Sequence, residues 1–123
     1  MRVVVDHGAK PRIRDGALAP WAAAMADVAA HSQVGCKLSG LVTEAAEGAG
    51  GEILRPYIET LVELFGPARL IWGSDWPVVE LAGGYDRWRG LARDALSGLD
   101  PTALAAVFGG NAERIYLRGQ RTQ

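Results

Sequence analysis

The segment GPARLIWGSDWP, residues 66–77, is the clearest indicator of the fold class. Gly66 and Pro67 end the preceding apolar helix, because glycine adopts the left-handed conformation of a helix stop and proline prevents continuation. The run from Arg69 to Trp72 has no polar alternation, which is typical of a strand buried on both faces in a parallel sheet. Residues 73–75 then end this strand with polar side chains.

Two further apolar runs, at about residues 2–6 and 34–38, have the same character. The strand starts lie roughly 30 to 35 residues apart, the spacing that a strand, a crossover helix and two loops require in a parallel sheet. A polar, glycine-rich composition predicts a loop at residues 43–51, and a second loop is predicted at residues 78–84. Helical spacing of apolar residues predicts helices at about 20–30, 53–65, 85–96, 101–108 and 112–116. The predicted order is β-α-β-α-β-α-α-α, within one α/β domain.

Local signals predict how the C-terminal helices begin and end. Pro20 is expected in the first turn of its helix, and Asp100 is expected to cap the helix that starts at Pro101. We expect Gly109-Gly110 to break the chain and Asn111 to cap a last helical turn.

The composition indicates an ordinary globular domain and disfavours several functional classes. The chain has 123 residues, 49% of them apolar, and a formal net charge of −1. That charge provides no electrostatic surface for nucleic acid or an anionic membrane. No apolar stretch approaches the roughly 20 residues that span a bilayer. The single cysteine, Cys36, is interpreted as a small buried hydrophobe, and together with the absence of a secretory-signal pattern it favours a cytoplasmic protein.

Each predicted strand carries titratable side chains at or near its carboxyl end. The first ends in Asp6 and His7, the second carries Lys37 with Ser39 beyond it, and the third ends in Ser74 and Asp75. Parallel α/β folds bind ligands at the carboxyl ends of their strands. We therefore predict that His7, Lys37 and Asp75 converge on one rim as a catalytic group.

Structural alternatives remain open for each candidate. A backbone carbonyl would satisfy His7, an outward Lys37 would extend to solvent, and Asp75 would simply cap a turn. Asp6 is the weakest candidate, because nearby backbone or a helix end is its simpler partner. Trp76 is predicted to wall a pocket, whereas Trp21 and Trp72 are predicted to lie in the core. The sequence contains no GxGxxG, Walker A or GxSxG motif.

Four motifs resemble those of the amidohydrolase-related sugar lactonases, a group of fuconolactonase-like and rhamnonolactonase-like enzymes. Residues 6–11 (DHGAKP) are similar to the group's DHxxKP motif, and residues 36–41 (CKLSGL) to its KxSGL motif. Residues 65–77 match its FGxxRxxxGSDWP block, and residues 110–116 match its GNAxRxY helix. The four motifs occur in the family's order and span nearly the whole chain.

The resemblance implies that residues 1–123 form a single partial domain, strands six to eight of a TIM-type (β/α)₈ barrel plus C-terminal helices. It implies that Asp75 activates the attacking water and that His7 ligates a metal or polarises the substrate carbonyl. Opening a lactone needs a base and a donor facing the oxyanion, and His7 and Lys37 suit the second role. Ser39 and Trp76 are the predicted substrate-binding residues.

The resemblance also implies that an intact relative uses a divalent metal such as zinc. The family's first-strand HxH pair lies outside this chain, which leaves only His7 and Asp75 as possible ligands. Two ligands are too few for a tight zinc site, so we expect none to bind tightly to this chain alone.

Three functional hypotheses follow. The first is a hydrolase of small-molecule sugar lactones that needs a missing N-terminal half. The second is a catalytically inactive fragment that serves as an assembly module, and the third is an unrelated α/β binding module. Three strands cannot close a barrel, so we expect an uncovered apolar face and self-association of the chain alone. The alternative is that the C-terminal helices fold over this face.

Overall fold

A computed structural model describes residues 3–46 and 48–118, with side chains as far as Ile115. Its three strands are β1 (Val3–Val5), β2 (Val34–Leu38) and β3 (Leu70–Trp72). They form one parallel sheet in the order β1-β2-β3, with Val5 opposite Cys36 and Cys36 opposite Leu70. The parallel α/β fold class is therefore confirmed. Arg2, at the start of the first predicted strand, lies outside the described residues.

A helix follows each strand along the chain. Helix α1 is Leu18–Ala29, α2 is Leu41–Glu44, α3 is Gly51–Phe65, α4 is Tyr85–Ala95 and α5 is Pro101–Ala105. Short 3₁₀ turns occupy Asp6–Ala9, Ile13–Asp15, Pro67–Arg69 and Val78–Ala82. This alternation provides the crossover helices that parallel pairing requires.

Several predicted boundaries were wrong in detail. The loop predicted at 43–51 begins with α2 instead, a four-residue helix that is too short to carry an amphipathic signal. The loop predicted at 78–84 contains a 3₁₀ turn. Helix α1 starts at Leu18, so Pro20 is its third residue, which still lies in the first turn.

The C-terminal region also differs from expectation. Asp100 does cap α5, where its Oδ1 accepts a hydrogen bond from the Ala103 N–H at 2.8 Å. Gly109-Gly110 does not break the chain, which continues through π-helical turns at Ala106–Gly110 and Glu113–Arg118. Packing of the first of these turns against β3 overrides the low helix propensity of glycine.

The side chain of Asn111 does not cap the last helical turn as predicted. Its side chain is buried and donates hydrogen bonds to the carbonyl oxygens of Leu70, at 2.7 Å, and Pro67. The Gly73 N–H pairs with the Leu38 carbonyl on β2, so by strand alternation the Leu70 carbonyl points away from β2. A buried acceptor on this free edge needs a donor, and the amide of Asn111 supplies it.

The core lies between the sheet and helices α1, α3 and α4. Its fully buried members include Cys36 and Leu38 of β2, Leu70 of β3 and Leu54 of α3. Burial raises the pKa of the Cys36 thiol to about 12, because an apolar site disfavours the thiolate. Cys36 therefore has the buried, unreactive character predicted for it.

The opposite side of the sheet, which we call the open face, carries Val4, Gly35, Lys37 and Ile71. The open face is less exposed to solvent than expected, since Ile71 is only 2% exposed. A Cβ atom at Gly35 would lie 4.0 Å from Ile115 Cδ1, so the last helical turn covers the amino end of this face. A cavity of about 450 Å³ remains beside Val4 and Ile115.

No helix within residues 3–46 and 48–118 has the length and apolar character needed to cross a membrane.

Candidate active site

His7 lies in the turn that follows β1, and its ring is held from two sides. Its Nδ1 atom is 2.7 Å from Ser39 Oγ. Its Nε2 atom is 3.6 Å from Asp75 Oδ1 and 3.4 Å from Asp6 Oδ2. The side chains of His7 and Asp75 are 18% and 16% exposed, so the pair is accessible but largely shielded from water. The structure thus brings the ends of β1 and β3 together through this pair.

Both members of this pair have a left-handed backbone. The φ angle is 50° at His7 and 57° at Asp75. For L-residues this region costs roughly 1–2 kcal/mol, although Asp and His enter it more readily than most. Two backbone hydrogen bonds stabilise these turns: the Lys10 N–H donates to the His7 carbonyl at 2.9 Å, and the Val79 N–H donates to the Asp75 carbonyl at 2.8 Å. Strained backbone of this kind is concentrated at functional sites.

Lys37 joins the site through Asp6. Its Nζ atom is 3.7 Å from Asp6 Oδ1, and its side chain is 36% exposed on the open face of β2. Because Val5 lies opposite Cys36, the next residue of each strand, Asp6 and Lys37, are neighbours at the carboxyl end. An exposed ion pair of this kind contributes about 0–1 kcal/mol, so its main effect is to orient the ammonium group.

Asp6 takes a larger part in the site than its sequence context predicts. Nearby backbone or a helix end is its expected partner, but its two carboxylate oxygens face His7 and Lys37. The signal that identifies it is the sheet register, which follows only once β1 and β2 are paired in parallel.

Ser39 has no exposed surface, and its hydroxyl lies against His7 Nδ1. This contact holds the imidazole ring, and the role of Ser39 in binding a substrate stays a prediction. A Cβ atom at Gly40 would lie 2.9 Å from His7 Cγ, and one at Gly73 would lie 3.3 Å from Ser39 Cβ. Glycine at these two positions therefore allows the ring and the hydroxyl to pack closely.

The tryptophans divide into three environments. Trp76 is 69% exposed beside Asp75, and a role for it as a pocket wall stays a prediction. Trp72 packs against Phe108, with ring centroids 5.4 Å apart, and its Nε1 has no hydrogen-bond partner among the described residues. Trp21 and Trp88 also pack on the core, but their indole N–H groups donate to carbonyls at the strand ends. No local sequence pattern predicts these two contacts, because each joins a helix to the end of a strand.

The site offers a carboxylate base beside an imidazole and an ammonium group. A carboxylate can remove a proton from water, and cationic or N–H donors can stabilise a developing oxyanion. The described part of the chain contains no group of three or more His, Cys, Asp or Glu side chains placed to hold a metal ion. Catalytic zinc sites use three protein ligands, so these residues do not by themselves fit zinc.

Comparison with known proteins identifies relatives over nearly the whole chain. The amidohydrolase family model matches residues 1–118. An L-fucono-1,5-lactonase from Burkholderia ambifaria is 48% identical over 94% of this chain and 41% of its own length. An L-fucono-1,5-lactonase from Burkholderia multivorans is 43% identical over 93% of this chain and 42% of its own length.

A solved structure has the same fold. It is an amidohydrolase from Burkholderia multivorans with bound zinc, 40% identical, with a TM-score of 0.88 over 94% of this chain. The match covers 43% of that protein. The chain therefore spans about two fifths of the proteins it matches, and its three βα units form part of a (β/α)₈ barrel.

Proposed function

The chain belongs to the amidohydrolase family, and we propose that it carries the C-terminal part of a catalytic site that opens a sugar lactone with water. The observation that carries this proposal is the pairing of Asp75 Oδ1 with His7 Nε2 at 3.6 Å. The pair lies at the carboxyl ends of parallel strands, where barrel enzymes bind their substrates. The names of the two lactonase relatives support a six-membered sugar lactone as the substrate class.

In the proposed reaction Asp75 acts as general base. It removes a proton from water while the water oxygen forms a bond to the lactone carbonyl carbon. His7 and Lys37 face the same space and stabilise the oxyanion that develops on the carbonyl oxygen. The tetrahedral intermediate then breaks its ring C–O bond, and the proton held on Asp75 passes to the leaving alkoxide. The product is the open hydroxy acid.

Asp6 and Ser39 have supporting roles in this proposal. Asp6 holds the ammonium of Lys37 toward the rim, and Ser39 fixes the orientation of the His7 ring. Trp76, exposed beside Asp75, is available to cover a bound sugar ring.

This chain alone is expected to be inactive, because three βα units neither enclose a substrate nor exclude water. A divalent metal in the complete protein stays a prediction. Further ligands to that metal would come from outside this chain. The proton transfers assigned to Asp75 do not depend on it. Tight metal binding by the chain alone is not expected.

The test is complementation. The chain by itself is first assayed on L-fucono-1,5-lactone. It is then co-expressed with the N-terminal region of the Burkholderia ambifaria lactonase, the region that this chain does not cover, and assayed on the same substrate. We expect turnover only in the combination, and its loss in Asp75→Asn. A well-folded combination without turnover on any aldonolactone would overturn the proposal and favour the second candidate, an inactive assembly module.

We also propose that the uncovered part of the open face makes the isolated chain self-associate. Light scattering at micromolar concentration measures this directly. Co-expression with the N-terminal region should abolish the association, whereas an isolated chain that is a stable monomer and binds no hydrophobic dye would contradict the proposed self-association.

A cytoplasmic location of the protein stays a prediction.

A further inference from the structure

Two indole N–H groups reach the strand ends that carry His7 and Asp75. Trp21, in α1, donates from Nε1 to the Gly8 carbonyl oxygen at 2.8 Å. Trp88, in α4, donates from Nε1 to the Gly73 carbonyl oxygen, also at 2.8 Å. Each tryptophan belongs to the helix that follows the strand concerned. The same contact therefore occurs in two βα units whose local sequences differ.

We infer that Trp21 and Trp88 are positioning residues that hold the His7 ring and the Asp75 carboxylate at their working separation. This inference rests on the proposed function of that pair. Each indole N–H donates to a glycine carbonyl within two residues of the pair, and each tryptophan acts through that carbonyl.

The backbone at both places needs such support. His7 and Gly8 have φ angles of 50° and 57°, and Asp75 has 57°. A left-handed turn at a non-glycine residue persists only where surrounding contacts favour it. Gly73 is held at both backbone atoms, because its N–H also donates to the Leu38 carbonyl at 3.1 Å. The point at which the chain turns toward Asp75 is thus fixed against both β2 and α4.

The two donors are themselves well anchored. Trp88 has no exposed surface, and its ring lies 6.5 Å from that of Trp72 at an interplanar angle of 20°. The ring of Trp21 lies 5.4 Å from that of Tyr57, on α3. Packed indoles have few accessible rotamers, so the helix layer transmits its position to the strand ends. A misplacement of about 1 Å in a catalytic geometry can reduce a rate about 100-fold.

Trp72 provides a matched control within the same aromatic cluster. Its Nε1 is buried and has no hydrogen-bond partner among the described residues. Trp72→Phe therefore makes the same chemical change as Trp88→Phe, but it keeps an aromatic ring beside Trp88 and removes no hydrogen bond from the site.

The first measurement is steady-state kinetics of the complemented protein. For Trp21→Phe and Trp88→Phe we expect kcat to fall about 10- to 100-fold while KM changes less than about twofold. Trp72→Phe should stay within about twofold of the parent in both constants. A merely structural role would lower the amount of folded protein without changing kcat per folded molecule.

The second measurement does not depend on lactonase activity. This chain has two histidines, so the complex of the ¹⁵N-histidine-labelled chain with the unlabelled N-terminal region gives signals for His7 and for the exposed His31, an internal reference. Trp88→Phe should change the His7 Nε2 signal, which faces Asp75, and leave Nδ1 unchanged. Trp21→Phe should change both ring nitrogens, because it releases the turn that carries His7. Trp72→Phe and the His31 signals should not change.

These two measurements separate the possible failures. If no combination of chains turns over a lactone but the His7 signals respond as described, the proposed function fails and the positioning role stands. If Trp88→Phe and Trp72→Phe give the same kinetics and the same His7 signals, the positioning role is wrong. Should a phenylalanine variant fail to fold, benzothienylalanine at position 88 keeps the ring shape and removes only the N–H donor. Parent-like His7 signals in that protein would likewise overturn the inference.

Discussion

The two ends of the parallel sheet use polar side chains in different ways. At the amino end, Arg69 donates to the carbonyls of Phe65, Val34 and His31 at 3.0–3.1 Å, and Arg114 donates to that of Ala68 at 2.7 Å. At the carboxyl end, the imidazole, ammonium and carboxylate groups face one another and the solvent.

This difference separates stability from chemistry. Side chains that satisfy backbone carbonyls connect the strands to the helices, and these donors are not available to a ligand. Groups that face one another retain donors and acceptors that a substrate can use. Barrels of this class place catalytic residues at the carboxyl ends of their strands and stabilising residues at the other end. Substitutions at the two ends should therefore affect different properties.

The largest expected effect is on turnover at the carboxyl end. Asp75→Asn in the complemented protein should reduce kcat by about 10²- to 10⁴-fold, because an amide cannot act as the base. Urea unfolding of the same variant should be nearly unchanged, since asparagine tolerates the left-handed backbone. Asp94→Asn, the same change on the exposed surface of α4, should alter neither property. Parent-like turnover in Asp75→Asn would contradict the division between the two ends.

At the amino end, Arg69→Met should reduce the free energy of unfolding by about 3 kcal/mol, because several carbonyls lose a charged donor. Arg55→Met provides the control: Arg55 is exposed on α3 and forms an ion pair with Glu59 at 4.0 Å, so the loss should be within about 0.5 kcal/mol. Urea unfolding of the two variants measures both changes in the free energy of unfolding. The complemented Arg69 variant should keep its kcat per folded molecule. A loss of kcat without a loss of stability would contradict the assignment of a stabilising role to the amino end of the sheet.

Asn111→Ala should cost about 2 kcal/mol, since it leaves the buried carbonyl of Leu70 and the partly buried carbonyl of Pro67 unpaired. Asn111→Asp keeps the shape but replaces the donor with an acceptor, so it should be at least as destabilising. Gln33→Ala, which removes an exposed amide, is the control. Equal midpoints for the alanine and parent proteins would mean that this edge of β3 needs no donor.

The smallest effect concerns the middle of the sheet and depends on pH. The pKa of Cys36 is raised from 9.0 to about 12 by burial, so the folded state holds its proton more tightly than the unfolded state does. Stability is therefore fully present below pH 9 and is lost as pH rises toward 12. At pH 10 the loss is about 1.4 kcal/mol. The difference in unfolding free energy between the parent and Cys36→Ala should change by that amount between pH 7 and 10, and a constant difference would refute it.

Local patterns predicted the elements whose signal is contained in a short stretch of chain. The three strands are continuous apolar runs, the Asp100 cap precedes Pro101, and the position of His7 and Asp75 at strand ends follows from those runs. Parallel pairing then implies that the two side chains approach one another, as the structure shows. The assignment of chemical roles to them remains a proposal.

The amino-acid sequence predicts the parallel βα architecture and the rim on which polar side chains meet, because burial periodicity and strand-end chemistry are local properties. The partners of Asn111, Trp21 and Trp88 depend on the packing of distant segments. The acceptors of Asn111 lie 41 and 44 residues away along the chain, that of Trp21 lies 13 residues away, and that of Trp88 lies 15 residues away. The tertiary structure also decides that Gly109-Gly110 stays helical, since packing against β3 outweighs propensity. A donor's type can be read from its residue, but which carbonyl lacks a partner depends on how strands and helices are packed.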